Sequence, residues 1–306
     1  MHLRFIYLYT VGIFTLLIAS ASHADSITND VEAVNITHIA VASNFTHTMK
    51  ALIAQFEQQS PYKVKASYGS SGKIYAQIKH GAPFELFFSA DQSKPMALYK
   101  EGLSHSEPFT YAFGALALWS NNNKFLSQHS LTKDSQSEYS REKALTKQQM
   151  KALLASANVN KLAFANPKLA PYGKAAMDVL LNLDLIKSTQ KKWVNGENIA
   201  QTYQFVSSGN ADLGFVALSQ VIKQSPTASI SNKQGQFKQE HFWKEQFWKV
   251  PANLYQPIRQ DAILLIRGEH NKAALSFIQF LNSTEAQNLI QSYGYQFEEI
   301  QQSEKI

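Results

Sequence analysis

The chain has 306 residues, enough for two domains that each bury a core. With 44% hydrophobic and 17% charged residues it falls among ordinary globular proteins, which excludes a disordered, collagen-like or multi-span membrane chain. The formal net charge is +6, but Lys and Arg are scattered rather than run together; this argues against a nucleic-acid partner and leaves a modest positive field able to draw in an anion.

The first stretch reads as an export signal. Met1 to Arg4 is a short basic start, Phe5 to Ala19 an apolar run, and Ser22-His23-Ala24 sets small residues where a signal peptidase reads. That order predicts a cleavable signal peptide over residues 1–24, the apolar run being short for a membrane span. The sequence contains no Cys, so an exported chain is held by its core alone and has no cysteine to carry a lipid anchor. In a bacterium the expected location is the periplasm, without a tether.

Short β-rich runs then alternate with helical patterns, which favours βαβ units, parallel sheets and an α/β fold. Ile36 to Ala42 reads as a strand. The next stretch, Phe45 to Phe56, reads as a helix, with Phe45, Met49, Leu52, Ile53 and Phe56 on one face. Val64 to Tyr68 and Glu85 to Ser89 are further strands, with helices from about Lys73 to Lys79 and from near Gln92. The apolar segment Tyr111 to Trp119 changes the rhythm and is expected to cross into a second domain. Asn121 to Gln149 is polar and is read mostly as a surface insertion. Alternation resumes at Lys161 to Ala165, Gly173 to Leu185, Ile199 to Ser207 and Asp212 to Val216. Phe242, Trp243, Phe247 and Trp248 are read as packing residues. Ala262 to Ile266 is an apolar strand, and two helices close the chain.

Three turns carry the chemistry: Ala42-Ser43-Asn44, Gly69-Ser70-Ser71-Gly72 and Pro171-Tyr172-Gly173. Each follows a predicted strand and opens a predicted helix, so each exposes unpaired first-turn N–H groups at the positive end of a helix dipole. Such ends bind anions without Lys or Arg. Hydroxyls add donors, and a fully deprotonated tetrahedral dianion only accepts. Any one of these turns could equally be a plain helix cap; the three together make the case.

Competing motifs fail. Gly69-Ser70-Ser71-Gly72-Lys73 has Lys73 where a nucleophile elbow needs Gly, and Ser67 stands where a Walker A loop needs its first Gly. The nine His residues show no metal-ligand spacing, so neither a cofactor nor a bare metal cation is expected.

At these turns the sequence resembles the periplasmic molybdate-binding proteins of bacterial ABC transporters. The resemblance rests on Ala40-Val41-Ala42-Ser43-Asn44-Phe45, Tyr68-Gly69-Ser70-Ser71-Gly72-Lys73, and the distinctive Gly81-Ala82-Pro83-Phe84-Glu85-Leu86-Phe87-Phe88-Ser89-Ala90-Asp91. Ala165-Asn166-Pro167, Pro171-Tyr172-Gly173 and Pro257-Ile258-Arg259-Gln260-Asp261 follow in order. The resemblance implies a type II periplasmic-binding fold, two α/β lobes around a cleft. Lobe 1 is expected at 25–115 plus 262–306 and lobe 2 at 116–261, with crossings in Tyr111 to Trp119 and Gln260 to Ile266.

It further implies capture of molybdate or tungstate by neutral donors, without catalysis, by a monomer that docks on a membrane permease. Carried over singly, the implied ligand set is Ser43, Asn44, Ser71, Tyr172 and Ile199, the last through its backbone. Many members place a donating Tyr where this chain has Ala217; Tyr172 could supply that hydroxyl from another direction. The alternatives are a binding protein for another anion, such as sulfate or phosphate, and a secreted serine hydrolase using Ser71 or Ser43.

Overall fold

The computed structural model describes residues 35–121, 146–223, 242–243 and 247–297. The expected signal peptide and most of the 121–149 insertion lie outside the described residues. Strand and helix alternate from the start: β1 (Ile36–Ala42), a 3-10 turn (Ser43–Phe45), α1 (Thr46–Gln59), β2 (Lys63–Gly69), α2 (Ser71–Lys79), β3 (Leu86–Phe88), α3 (Ser93–Lys100) and β4 (Phe109–Gly114). Next come β5 (Leu116–Trp119), α4 (Lys147–Ala155), β6 (Leu162–Ala165), α5 (Pro171–Asn182), α6 (Ile186–Thr189), β7 (Trp193–Gly196), α7 (Ile199–Ser207), β8 (Leu213–Ala217) and α8 (Leu218–Val221). A short pair, β9 (Ile222–Lys223) and β10 (Phe242–Trp243), precedes β11 (Phe247–Lys249), β12 (Ile258–Leu264), α9 (Lys272–Leu281) and α10 (Thr284–Ser292).

These strands form two five-stranded mixed sheets, ordered β2-β1-β3-β12-β4 and β11-β5-β8-β6-β7. In the first, β1 runs parallel to β2 and β3, while β12 is antiparallel to β3 and β4. In the second, β6 is parallel to β7 and β8, and β5 is antiparallel to β8 and β11. The short, almost wholly buried strands β3, β5, β6 and β8 are what helices on both faces of a sheet require.

Each half has its own core. In the first, Met49, Leu52 and Phe56 of α1 bury one face against Ile39, Val41 and Phe88 of the sheet and Phe277 of α9. Each such side chain stabilises by about 1.5–3 kcal/mol relative to exposure. In the second, Met150, Leu153 and Leu154 of α4 pack with Phe164, Val179, Leu180 and Phe215.

The chain passes between sheets twice. The first passage is at Ala115, between β4 and β5, inside the apolar run that reads as a single segment. The second falls between Val250, whose N–H still bonds Leu116 at 2.9 Å, and Ile258, which already pairs with Gly114. That is just ahead of Gln260 to Ile266, because β12 pairs along its length with β4 and β3.

Two local expectations need correction. Residues 146–149 are not loop: Thr146 and Gln149 form a reciprocal capping box that starts α4. Gly173 to Leu185 is not one helix, since α5 starts at Pro171 and ends at Asn182 before the short α6. Phe247 and Trp248 are buried packing residues, as read; the side chains of Phe242 and Trp243 lie outside the described residues.

Candidate ligand-binding site

All five predicted residues reach one small cavity between the two halves. Ser43, Asn44 and Ser71 come from the first sheet's connections, Tyr172 and Ile199 from the second's. Among the described residues, no Asp, Glu, Lys, Arg or His lines it. Beside it lies a larger hollow of about 300 Å³, which Lys94, Lys168, Lys174 and Arg259 line together with Asp91 and Asp178. The smaller cavity is the better candidate, because the helix ends converge there and the hollow mixes both charge signs.

At the starts of α2, α5 and α7 the local bonding leaves a cavity-lining residue with an N–H that has no carbonyl one turn back. In α7 the Asn198 side chain caps the Ala200 and Gln201 N–H groups at 3.0 Å each, which leaves that of Ile199. In α5 Pro171 has no N–H, and Gly173 and Lys174 donate to the Ala170 carbonyl, which leaves Tyr172. In α2 the Gly72 N–H donates across the cleft to the Leu169 carbonyl at 2.9 Å and that of Ile74 to Ser70, which leaves Ser71 and Lys73, of which Ser71 lines the cavity. The helix ends add a partial positive potential without a side-chain cation.

The side chains differ in what they can still donate. Ser71 Oγ accepts the Ala90 N–H at 2.9 Å and keeps its own proton. Ser43 is buried, and no hydrogen bond from its hydroxyl occurs among the described residues. Asn44 is turned into the protein: its amide donates to Gln260 Oε1 at 2.8 Å and to the Tyr295 hydroxyl at 3.1 Å. Its carbonyl accepts from Ser219 at 3.1 Å and from Tyr295 at 2.9 Å. This leaves Asn44 only its backbone N–H and gives its side chain a positioning part.

Tyr172 enters the same network. Its hydroxyl receives a long, 3.4 Å bond from Gln260 Nε2, which leaves it its own proton to donate. Space for it exists because residue 114 is glycine: a Cβ there would lie 2.1 Å from the hydroxyl. Burial pushes the Tyr172, Tyr111 and Tyr295 phenols well above the usual range, so all three stay protonated donors. Ala217 lies in β8 and is not part of the cavity wall.

Further contacts join the two halves around the cavity. Lys73 pairs with Glu197 on the surface, and the Ser219 hydroxyl meets both Asn44 and Tyr295. A Cβ on Gly72 would come within 3.0 Å of the Leu169 carbonyl, so the backbones meet closely only because this residue is glycine.

Three features were not singled out from sequence. Ser70 lines the cavity beside Ser71. Gln260, fully buried, holds Asn44, Tyr111 and Tyr172 at once. Tyr295 comes from the last described turn. Gln260 sits in a segment that the family resemblance had flagged, whereas nothing local marks Tyr295.

Residues 37–296 match the profile of a family described as bacterial extracellular solute-binding protein. The chain is 41% identical over 258 residues to the molybdate-binding protein ModA of Azotobacter vinelandii, covering 84% of this chain and 88% of that one. It is 36% identical over 257 residues to ModA of Rhodobacter capsulatus, covering 84% and 86%. Among solved structures, the Azotobacter vinelandii periplasmic molybdate-binding protein superposes with a TM-score of 0.69 at 32% identity, covering 85% of this chain and 99% of that chain. The sulfate-binding protein SubI of Mycobacterium tuberculosis shares the fold alone, with a TM-score of 0.58 at 13% identity over 87% and 88%.

Proposed function

The chain belongs to the bacterial extracellular solute-binding proteins, and on that premise we propose that it captures molybdate in the periplasm for an ABC importer. The expected two-lobed α/β fold is borne out. The observation that carries the reading is a cavity lined only by uncharged residues, onto which helix N-termini from both lobes converge. Donors without acceptor carboxylates suit an ion that carries two negative charges and no proton. Each charge-assisted bond contributes about 1.5–3 kcal/mol, so several can offset the ion's desolvation.

In this reading Ser43, Ser71 and the Asn44 backbone act from lobe 1, and the Tyr172 and Ile199 N–H groups from lobe 2. The described residues 35–114 with 258–297 form lobe 1 and those between 116 and 249 lobe 2, hinged at Ala115 and at 250–257; the boundary expected at 261/262 moves back because Ile258 to Asp261 already pair with β4. A ligand touching both lobes favours the closed form over the open one only through the contacts that closure adds. Residues 1–24 direct export, and the protein acts as a monomer that presents its closed form to the permease.

No chemistry is performed: members of this family are transport components, not enzymes. A serine nucleophile at Ser43 or Ser71 would lack a base, since among the described residues neither His nor carboxylate lines the cavity. Tungstate matches molybdate in charge and nearly in size and binds the same way in this reading. Sulfate is smaller and leaves long bonds; hydrogen phosphate brings a proton that needs an acceptor. Thermal-shift titration with molybdate, tungstate, sulfate and phosphate tests this. Stabilisation by the first two and little by the others is expected; stabilisation by sulfate but not molybdate overturns it.

A further inference from the structure

Ser70 occupies the N-cap of α2, where a serine normally accepts a bond from the second or third helical N–H. Here its side chain makes no cap bond. The second N–H, that of Gly72, instead donates to Leu169 across the cleft. Ser70 is 3% exposed, and its hydroxyl oxygen is buried with no partner among the described residues. Thr37, Thr48, Asp178 and Glu269 also carry such atoms, but of these five residues Ser70 alone lines the small cavity. A buried hydroxyl without a partner opposes folding, so its retention calls for a compensating role. The neighbouring Ser71 hydroxyl, by contrast, already has a protein partner in the Ala90 N–H.

We propose that the Ser70 hydroxyl is a further hydrogen-bond donor to the bound oxyanion, beyond the five residues assigned above; the inference rests on reading this cavity as the anion site. Its proton meets no protein acceptor in the cavity, and a dianion placed there supplies one. The arrangement withholds a helix cap in the empty protein and restores a bond when ligand arrives.

Two variants, Ser70→Ala and Ser70→Gly, test it by calorimetric titration with molybdate, alongside melting of each ligand-free protein. The expected result is binding weakened about tenfold or more in both variants. Ligand-free melting should stay at or above that of the parent, because no protein bond is lost. Unchanged affinity overturns the proposal. So does a loss confined to one of the two variants, since both delete the hydroxyl, or a loss accompanied by lower ligand-free stability, which would mark a structural serine. A parent protein that does not bind molybdate overturns instead the function on which the proposal stands, and this is seen before either variant is measured.

Discussion

Ser71 and Asn44 adjoin the same cavity, yet they differ in what they can give. The Ser71 hydroxyl accepts one bond and keeps its proton, whereas both amide hydrogens of Asn44 are engaged by Gln260 and Tyr295. Ser71→Ala should therefore weaken molybdate binding by about 1.5–3 kcal/mol, measured by calorimetry; an unchanged constant removes Ser71 from the site. Tyr172→Phe, in the same titration, reads the phenol alone. A loss there means that the hydroxyl, which accepts from Gln260, donates its proton to the ligand, and no loss means that Tyr172 serves through its backbone. Both phenol and hydroxyls are protonated at any ordinary pH, so the donors need no titration to act.

At the scale of elements, α2, α5 and α7 each start with a cavity-lining residue whose N–H is left unbonded, and α2 does this beside a contact with the opposite lobe. Gly72 is where that contact forms. Gly72→Ala should weaken molybdate binding several-fold, on the order of 1 kcal/mol of overpacking in the closed form. Ligand-free melting should hold or rise, since alanine favours a helix. Equal affinity would show that the Leu169 segment yields freely. Much at this scale was legible in the sequence. The stripe Met49, Leu52, Phe56 announced α1, and the small residues after β1 and β2 announced the turns. The helix α4 was not, because its apolar residues Met150, Leu153 and Leu154 fill barely one turn at the end of a polar stretch. The Thr146 and Gln149 pair was its only local signal.

For the whole molecule, what could be read was the α/β alternation and the three turns that meet between the halves; the expected parallel sheets are mixed instead, because β5, β11 and β12 enter antiparallel near the crossings. What could not be read depends on partners far along the chain. The orientation of Asn44 is set by Gln260 and Tyr295, 216 and 251 residues away. Likewise, the freedom of Ser70 depends on Leu169 taking the Gly72 N–H. Periodicity reports which face of an element is buried and is silent on such distant pairings. Closure joins the lobes through Gly72 with Leu169, Lys73 with Glu197, and Ser219 with Asn44 and Tyr295. The exposed Lys73–Glu197 pair adds little, about 0–1 kcal/mol, and an anion bridging both lobes adds its own contacts to the preference for the closed form.

The most direct measurement is a crystal structure grown with molybdate, its ion located by the anomalous signal of molybdenum. The account predicts one strong peak within hydrogen-bond distance of Ser43, Ser71 and the Tyr172 and Ile199 N–H groups, with no charged side chain touching it. A peak held by Lys94, Lys168, Lys174 or Arg259 in the larger hollow, with the small cavity empty, would contradict it.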